Sequence, residues 1–438
     1  MIELIASSVV LLLSTMLLGS LLRRFKGNEQ KLILAGFIAH VVAAFVQVWL
    51  HRYYYGYGDM LSYFRQGMYL ADLLHDDFLK YVPEILALIF QQKPSVTLWV
   101  QGEGSSTGTM AGLAGVLAFV TGGSLYASCL SVSIGSFFGQ LALYAALRND
   151  TPKVYIPRLL VSCLLVPSVV FWSSGIIKEA IALSGLGFAV LGLYRLVRHN
   201  RHFSGLCALC IGVLLMGLSK PYLLGPFAVA TSIWFYWSRT IRIKGQVAMA
   251  AKPLYFLFGL MIAMASLIGI GQLFPRYSIE NLAEEAGHMQ DVGRRVEGGS
   301  NYELASTSER TAQAQLVFVP IALVTALFRP FFFEVHNALS LINAAETTFI
   351  ALVFLFLVFR QGPRKCWSII IGSPMLMFCL IFVLLVALGV GLTATNLGTL
   401  SRYRIPMMPM YFVLLLMLLP LKAVRQPRER LVQRTNAD

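Results

Sequence analysis

Long runs of apolar residues recur along the whole chain of 438 residues. A run of about 20 apolar residues can cross a bilayer as a helix, which satisfies its backbone hydrogen bonds internally where no water is present. Hydrophobic residues make up 57% of the chain and charged residues only 13%. This composition excludes a soluble protein and leaves little chain for globular domains.

The apolar runs predict an all-α polytopic membrane protein with about 11 transmembrane helices. They lie at residues 4–22, 32–50, 124–147, 156–172, 176–194, 204–219, 222–238, 253–272, 343–359, 367–392 and 405–421. Two shorter stretches, 109–122 and 316–333, are predicted to be re-entrant or interfacial helices. We expect one polytopic membrane domain over residues 1–422, with an extracytoplasmic loop at 273–315, and a basic cytoplasmic tail at 423–438.

Basic residues collect in alternate connections, which predicts the orientation of the chain. These connections are residues 23–31, 148–158, 195–202, 239–252, 360–365 and 422–434, and they hold 22 of the 35 Lys and Arg residues. They are predicted to be cytoplasmic, with the N-terminus outside and the C-terminus inside a bacterial inner membrane. The net charge of +14 is therefore attributed to loops near anionic lipid, and no nucleic-acid partner is expected. The first run lacks a basic region before it and a cleavage site after it, so we expect it to be retained.

A reporter that is active only outside the cytoplasm tests this orientation. Fused near Gly299 it should be active, because the loop at 273–315 is predicted to be extracytoplasmic. Fused after Arg428 it should be silent. The reverse pattern would contradict the orientation of every connection.

Five polar segments fall on the predicted outer face, each where a crossing ends or a re-entrant turn returns. They are residues 51–67, 172–179, 218–224, 327–337 and 396–409. Charged groups at the end of a membrane crossing cost free energy unless they are paired or face a water-filled cavity. Any one of them alone is equally typical of a headgroup anchor, but together they favour a functional site. The charged residues are Asp59, Lys178, Glu179, Lys220, Arg329, Glu334, Arg402 and Arg404.

Asp59 is the predicted catalytic residue, because we interpret it as an unpaired carboxylate within the Gly-rich, aromatic turn YGYGDMLSYF. Such a carboxylate can accept a proton from an attacking hydroxyl. Cations on the facing loops can bind a phosphate. We assign that role to Lys178, Lys220, Arg329, Arg402 and Arg404, and an orienting role to Glu179, Glu334, His336 and Tyr63. No metal site is predicted.

Short motifs resemble those of GT-C type membrane glycosyltransferases. GDMLSY, which contains Asp59, resembles their acidic first outer loop, and RYRIP at 402–406 resembles the Arg-Tyr-x-x-P that often precedes their last span. FWSSGIIKEA and LFRPFFFEVHN resemble elements of bacterial envelope-polysaccharide proteins. The resemblance covers most of the chain. It implies a polyprenyl-phosphate-linked sugar donor, a saccharide or lipid acceptor, and a role in envelope polysaccharide or glycolipid synthesis.

The chain also departs from the GT-C pattern. Two predicted crossings precede the acidic loop where the family has one, and the second acidic motif and a DxD motif are absent. No cofactor is predicted, and the need for a divalent metal is left open. One alternative is an O-antigen-polymerase-like protein, which relies more on arginines than on a carboxylate base. A second is a secondary transporter or flippase, which should show charges at mid-span and two related halves.

Overall fold

The computed structural model describes residues 1–198, 201–241, 243, 245–275, 317–335 and 337–421, together with positions 278, 281, 284, 287 and 288. Over these residues the regular structure is helical and includes no extended strand. The predicted all-α class is therefore confirmed.

Eighteen α-helices are described along the chain. They are α1 (Ile2–Leu22), α2 (Asn28–Trp49), α3 (Asp59–Asp76), α4 (Phe78–Ile89), α5 (Ser106–Val120), α6 (Leu125–Arg148), α7 (Ile156–Leu164), α8 (Pro167–Trp172), α9 (Lys178–Arg198), α10 (His202–Ser219), α11 (Leu224–Thr240), α12 (Gln246–Leu273), α13 (Val319–Phe328), α14 (Ala338–Phe356), α15 (Pro363–Ile371), α16 (Pro374–Thr393), α17 (Leu397–Tyr403) and α18 (Met408–Leu418).

Eight helical segments among the described residues are long and apolar enough to cross a membrane. They are Ile2–Leu22, Asn28–Tyr55, Leu125–Arg148, Lys178–Arg198, His202–Ser219, Ala251–Leu273, Ser340–Gln361 and Pro374–Thr393. Each coincides with a predicted crossing, so the multi-pass membrane architecture is confirmed. The other three predicted crossings are helical but short or broken: α7 with α8, α11, and α18. The total of eleven stays a prediction.

The predicted crossing at 156–172 is broken where Pro167 begins α8. Proline has no backbone N–H and disfavours helical geometry in the residue before it. Glu346 of α14 satisfies the new helix start, because its carboxylate accepts hydrogen bonds from Ser168 N at 3.0 Å and from Ser168 Oγ at 2.6 Å. A buried carboxylate thereby occupies the positive end of a helix inside the bundle.

Contacts at the helix ends fix the direction of the helices. At one end of the bundle, Glu3 near the start of α1 accepts a hydrogen bond from Tyr126 N near the start of α6, at 3.2 Å. At the other end, Glu29 near the start of α2 pairs with Arg148 at the end of α6, at 2.9 Å. The helices α2 and α6 are therefore antiparallel. We call the end formed by the starts of α1 and α6 the site end, and the end formed by the start of α2 and the end of α6 the opposite end.

Shorter helices complete the site end. The helices α3, α4 and α5 pack together around a small apolar core of their own, which includes Leu70, Ile85 and Leu88. The helix α5 covers the stretch at 109–122 that was predicted to be a short helix, whereas α3 and α4 were not predicted. The other predicted short helix, at 316–333, is α13, which is too short at 10 residues to cross a membrane.

The helices α6 and α9 approach so closely that their contact depends on glycine. A Cβ on Gly139 would collide with the backbone of Ser184 and lie 2.7 Å from its Oγ. Gly135, one turn earlier on the same helix, is different, because a Cβ there would have no atom within 4 Å. Close approach through small residues is a common way to pack helices in membranes.

Gly139→Ala should therefore destabilise the fold, whereas Gly135→Ala should not. Overpacking of this kind costs about 1–3 kcal/mol, while alanine in an open helical position is favoured over glycine by about 0.5–1 kcal/mol. Thermal unfolding of the two purified variants in the same detergent measures the difference. Equal stability of the two variants would contradict the close contact.

Candidate functional site

Five chain positions at four helix ends bring charged side chains together at one place. The start of α3 supplies Asp59, the start of α9 supplies Lys178 and Glu179, the residue after α10 is Lys220, and the end of α17 supplies Arg402. We call these five residues the charged cluster. It joins four of the five polar segments that were predicted to lie on the outer face, and these segments lie far apart in the chain.

Asp59 and Arg402 form an ion pair at the exposed side of the cluster. Arg402 Nη2 donates to Asp59 Oδ2 at 2.8 Å, although the two residues are 343 positions apart. The side chain of Asp59 is 51% exposed and that of Arg402 is 26% exposed. Asp59 was predicted to be a carboxylate without a charged partner, and that prediction was wrong. Its partner, Arg402, comes from the far end of the chain, so the sequence of the turn around Asp59 could not reveal it.

Glu179 is the buried centre of the cluster. Its Oε1 lies 3.1 Å from Lys220 Nζ and 3.4 Å from Arg402 Nε. The side chains of Glu179 and Lys220 are only 1% and 4% exposed. Because a buried charge is costly without a partner, this carboxylate holds both cations in place. The predicted orienting role of Glu179 thus has a geometric basis.

An aromatic ring lies beside each of the two cations that Glu179 binds. Lys220 Nζ lies 4.3 Å from the centre of the Tyr403 ring, and Arg402 Cζ lies 5.3 Å from that of Trp172. Cations are attracted to ring faces, most strongly where water is excluded. Burial lowers the pKa of the Lys220 ammonium, and the adjacent Glu179 carboxylate opposes that shift.

Lys178 reaches the cluster from another direction. Its ammonium donates to Ser106 Oγ and Thr107 Oγ1, both at 3.0 Å, and these residues begin α5. The starts of α3, α5 and α9 therefore meet beside the cluster, and each helix start carries a partial positive charge. Tyr63, one turn along α3, is buried, and burial raises the pKa of its phenol, with Asp59 and Glu179 raising it further. Its hydroxyl is held in the neutral form that can donate a hydrogen bond.

A buried polar network supports the turn that leads into α9. Gln140 Nε2 donates to Ser173 Oγ at 3.1 Å and to His40 Nε2 at 2.9 Å. Ser133 Oγ donates to Ser174 Oγ at 3.0 Å. These bonds join α2 and α6 to Ser173 and Ser174, so they hold in place the turn from which Lys178 and Glu179 begin α9.

Gly175 lies within this turn and allows a close contact with α2. A Cβ at this position would collide with Gln47 Oε1 and lie 3.0 Å from Met60 Sδ. The Ser-Ser-Gly turn therefore packs tightly on α2 and α3.

Arg329, Glu334 and Arg404 form a second group of contacting residues. Arg329 Nε donates to Glu334 Oε2 at 3.2 Å, and Glu334 also accepts from Phe331 N at 2.9 Å. Arg404 is fully buried, and its Nη1 donates to the Arg329 carbonyl at 2.6 Å. The geometry therefore separates Arg404 from Arg402, although the two were assigned the same role. His336 lies outside the described residues.

Sequence reasoning missed four neutral residues of the site. Ser106 and Thr107 bind Lys178, and Trp172 and Tyr403 face the cations. The signal for the first two was GSSTGT, a Gly-rich turn with serine at a helix start, which is typical of an N-cap. In the described part of the chain, no group of three or more His, Cys, Asp or Glu side chains is arranged to hold a metal ion.

The charged cluster carries three cations and two carboxylates, so it has one net positive charge, to which the helix starts add. Such a site suits an anion that also presents hydroxyl groups, because Arg402 and Lys178 can donate and Asp59 can accept. Asp59 and Arg402 are its outer residues, so a ligand would meet them first. No family model, no curated protein and no solved structure matches this chain.

Proposed function

We propose that the protein is a membrane glycosyltransferase that takes a sugar from a polyprenyl-phosphate carrier at the extracytoplasmic face, in envelope polysaccharide or glycolipid synthesis. The observation that carries this proposal is the ion pair of Asp59 with Arg402, held by the buried Glu179 and Lys220. It puts a proton acceptor beside a set of phosphate-binding cations. These are the two functions that sugar transfer from a lipid phosphate requires.

The reaction is a displacement at the anomeric carbon. An acceptor hydroxyl oxygen forms the new bond to that carbon, and its proton passes to the Asp59 carboxylate. The bond between the anomeric carbon and the phosphate oxygen breaks, and its electron pair leaves with the carrier phosphate. Arg402, Lys178 and Lys220 offset the charge that develops there, and they need no reorganisation because Glu179 and the α5 hydroxyls already hold them.

The position of the cluster suits a lipid-linked donor. It lies near the end of α2 and at the start of α9, two helices long enough to cross the membrane. The carrier phosphate of a polyprenyl lipid sits at this depth, with its chain in the hydrocarbon core. The exposed Tyr53, Tyr54 and Tyr57 that precede Asp59 suit either the membrane interface or a sugar ring.

A second candidate is the arginine-centred polymerase, which joins lipid-linked oligosaccharides. What favours it is the central position of Arg402, whose guanidinium contacts both carboxylates of the cluster. In this mechanism Asp59 orients Arg402 and takes no proton. The donor class and the location of the chemistry stay the same.

Turnover by the purified protein tests the proposal. The full chain in detergent is incubated with polyprenyl-phosphate-linked sugars and a panel of saccharide and lipid acceptors. We expect release of the polyprenyl phosphate that depends on the acceptor, and a new glycosidic product detectable by mass spectrometry. If every donor gives no product, and vesicles that contain the protein move the intact lipid-linked sugar across their membrane, the protein is a flippase and the proposed enzyme activity is wrong.

A further inference from the structure

A crevice lies at the opposite end of the bundle, away from the charged cluster. It has a volume of about 440 Å³ and lies between the start of α2, the end of α6 and the start of α7, together with the connections that precede α2 and α7. Three cations line it: Lys26, Arg148 and Lys153. A cavity of this size holds a small ligand or a lipid headgroup.

The charges of the crevice do not cancel. Its one carboxylate, Glu29, is already occupied: Arg148 donates to it through Nε and Nη2, each at 2.9 Å, and Tyr144 donates at 2.8 Å. Lys26 and Lys153 are exposed, and neither forms an ion pair within the described part of the chain. Two positive charges therefore remain for an anion.

The crevice also has an apolar wall. Leu32, Ile156, Pro157 and Leu160 line it, and Asn28 and Thr151 are uncharged polar residues of the same lining. A free phosphate would use only the polar part. A phospholipid would use both, because its phosphate meets the lysines while the start of its acyl chains covers the apolar wall.

We propose that this crevice is a binding site for the headgroup of an anionic phospholipid. The connection between α1 and α2, which carries Lys26, joins two helices that are long enough to cross the membrane, so the site lies at the level of lipid headgroups. The ligand bridges α2, α6 and α7, and the last of these belongs to the broken crossing. A bound lipid thereby ties the short α7 to two full-length helices. This site is independent of the chemistry proposed for the charged cluster.

Native mass spectrometry of the purified full chain tests the site, with dioleoylphosphatidylglycerol as the probe and dioleoylphosphatidylcholine as the neutral comparison. We expect wild type to retain the anionic lipid in preference to the neutral one. The double variant Lys26→Gln/Lys153→Gln should bind the anionic lipid about 30-fold more weakly. Each lysine near the lipid headgroups is expected to strengthen binding about fivefold, and the two losses multiply. Both replaced side chains are exposed, so folding should be kept.

Arg364→Gln/Lys365→Gln is the matched control. It removes the same charge from exposed residues at the start of α15, outside the crevice. We expect it to bind the anionic lipid as wild type does. An equal loss of binding in both double variants would overturn the proposal, because general surface charge would then explain the effect. Displacement of the lipid by inorganic phosphate at a similar concentration would overturn it as well, since the apolar wall would contribute nothing.

Discussion

Asp59→Asn is expected to lower the rate of sugar transfer by about 100- to 10000-fold, the usual contribution of a general base. Asparagine keeps the size and polarity of the side chain but cannot take the proton of an acceptor hydroxyl. The fold should survive, because the side chain of Asp59 is about half exposed and an exposed ion pair contributes at most about 1 kcal/mol to stability. Donor binding should also survive, because the cations stay paired with Glu179. The measurement is transfer from a defined polyprenyl-linked sugar, beside a donor-binding assay.

Asp72→Asn is the matched control for this change. Asp72 lies on the same helix, α3, and is exposed, but it is not part of the charged cluster. It should retain full activity. Wild-type turnover in Asp59→Asn would refute the base assignment and favour the arginine-centred polymerase. Loss of donor binding together with activity would make Asp59 a positioning residue that holds Arg402.

Arg402→Lys is expected to lower the transfer rate by about 100- to 1000-fold, the typical cost of losing one donor to a transition-state charge. The guanidinium contacts Asp59 through Nη2 and Glu179 through Nε. A lysine ammonium is one compact charge, whereas the guanidinium spreads its N–H donors over a planar fork. Lysine therefore cannot keep both contacts and also bind a phosphate. Arg65→Lys, at an exposed position of α3, should leave the rate unchanged.

Arg404→Lys should behave differently from Arg402→Lys. Arg404 is fully buried and donates to the Arg329 carbonyl, so its replacement should reduce stability by about 1–3 kcal/mol. The activity of the protein that remains folded should change little. Thermal unfolding beside transfer assays separates the two effects. Full activity in Arg402→Lys, or equal loss of specific activity in both variants, would contradict the separation of the two arginines.

The two arginines show why sequence alone could not resolve the site. They were assigned one role because both belong to the same polar segment. Residues two apart on a helix lie about 200° apart around its axis, so they cannot share a face. The helix α17 runs to Tyr403, and Arg404 keeps helical geometry just beyond it. One guanidinium therefore reaches the cluster while the other enters the core.

Apolar length was a dependable guide to the crossings, because a bilayer requires it. It failed where proline interrupts a crossing, as at Pro167, and where a helix carries polar residues, as α3 does. The length of the apolar runs could not predict which charged residues pair. Lys178 and Glu179 are neighbours in the chain, yet one binds the start of α5 and the other binds Lys220. Only the packing of the helices decides between those directions.

The distance along the chain between the partners of the cluster sets an order for its assembly. Glu179 and Lys220 are 41 positions apart and can pair as soon as α9 and α10 have inserted. Asp59 has to wait for Arg402, 343 positions later, which at about 5–20 residues per second is roughly 20–70 s of synthesis. From the synthesis of Lys220 to that of Arg402, the growing chain holds Glu179 and Lys220 without the arginine that joins them to Asp59. The cluster therefore stays incomplete on the ribosome until the last helices dock, and a chain that terminates before Arg402 cannot form it.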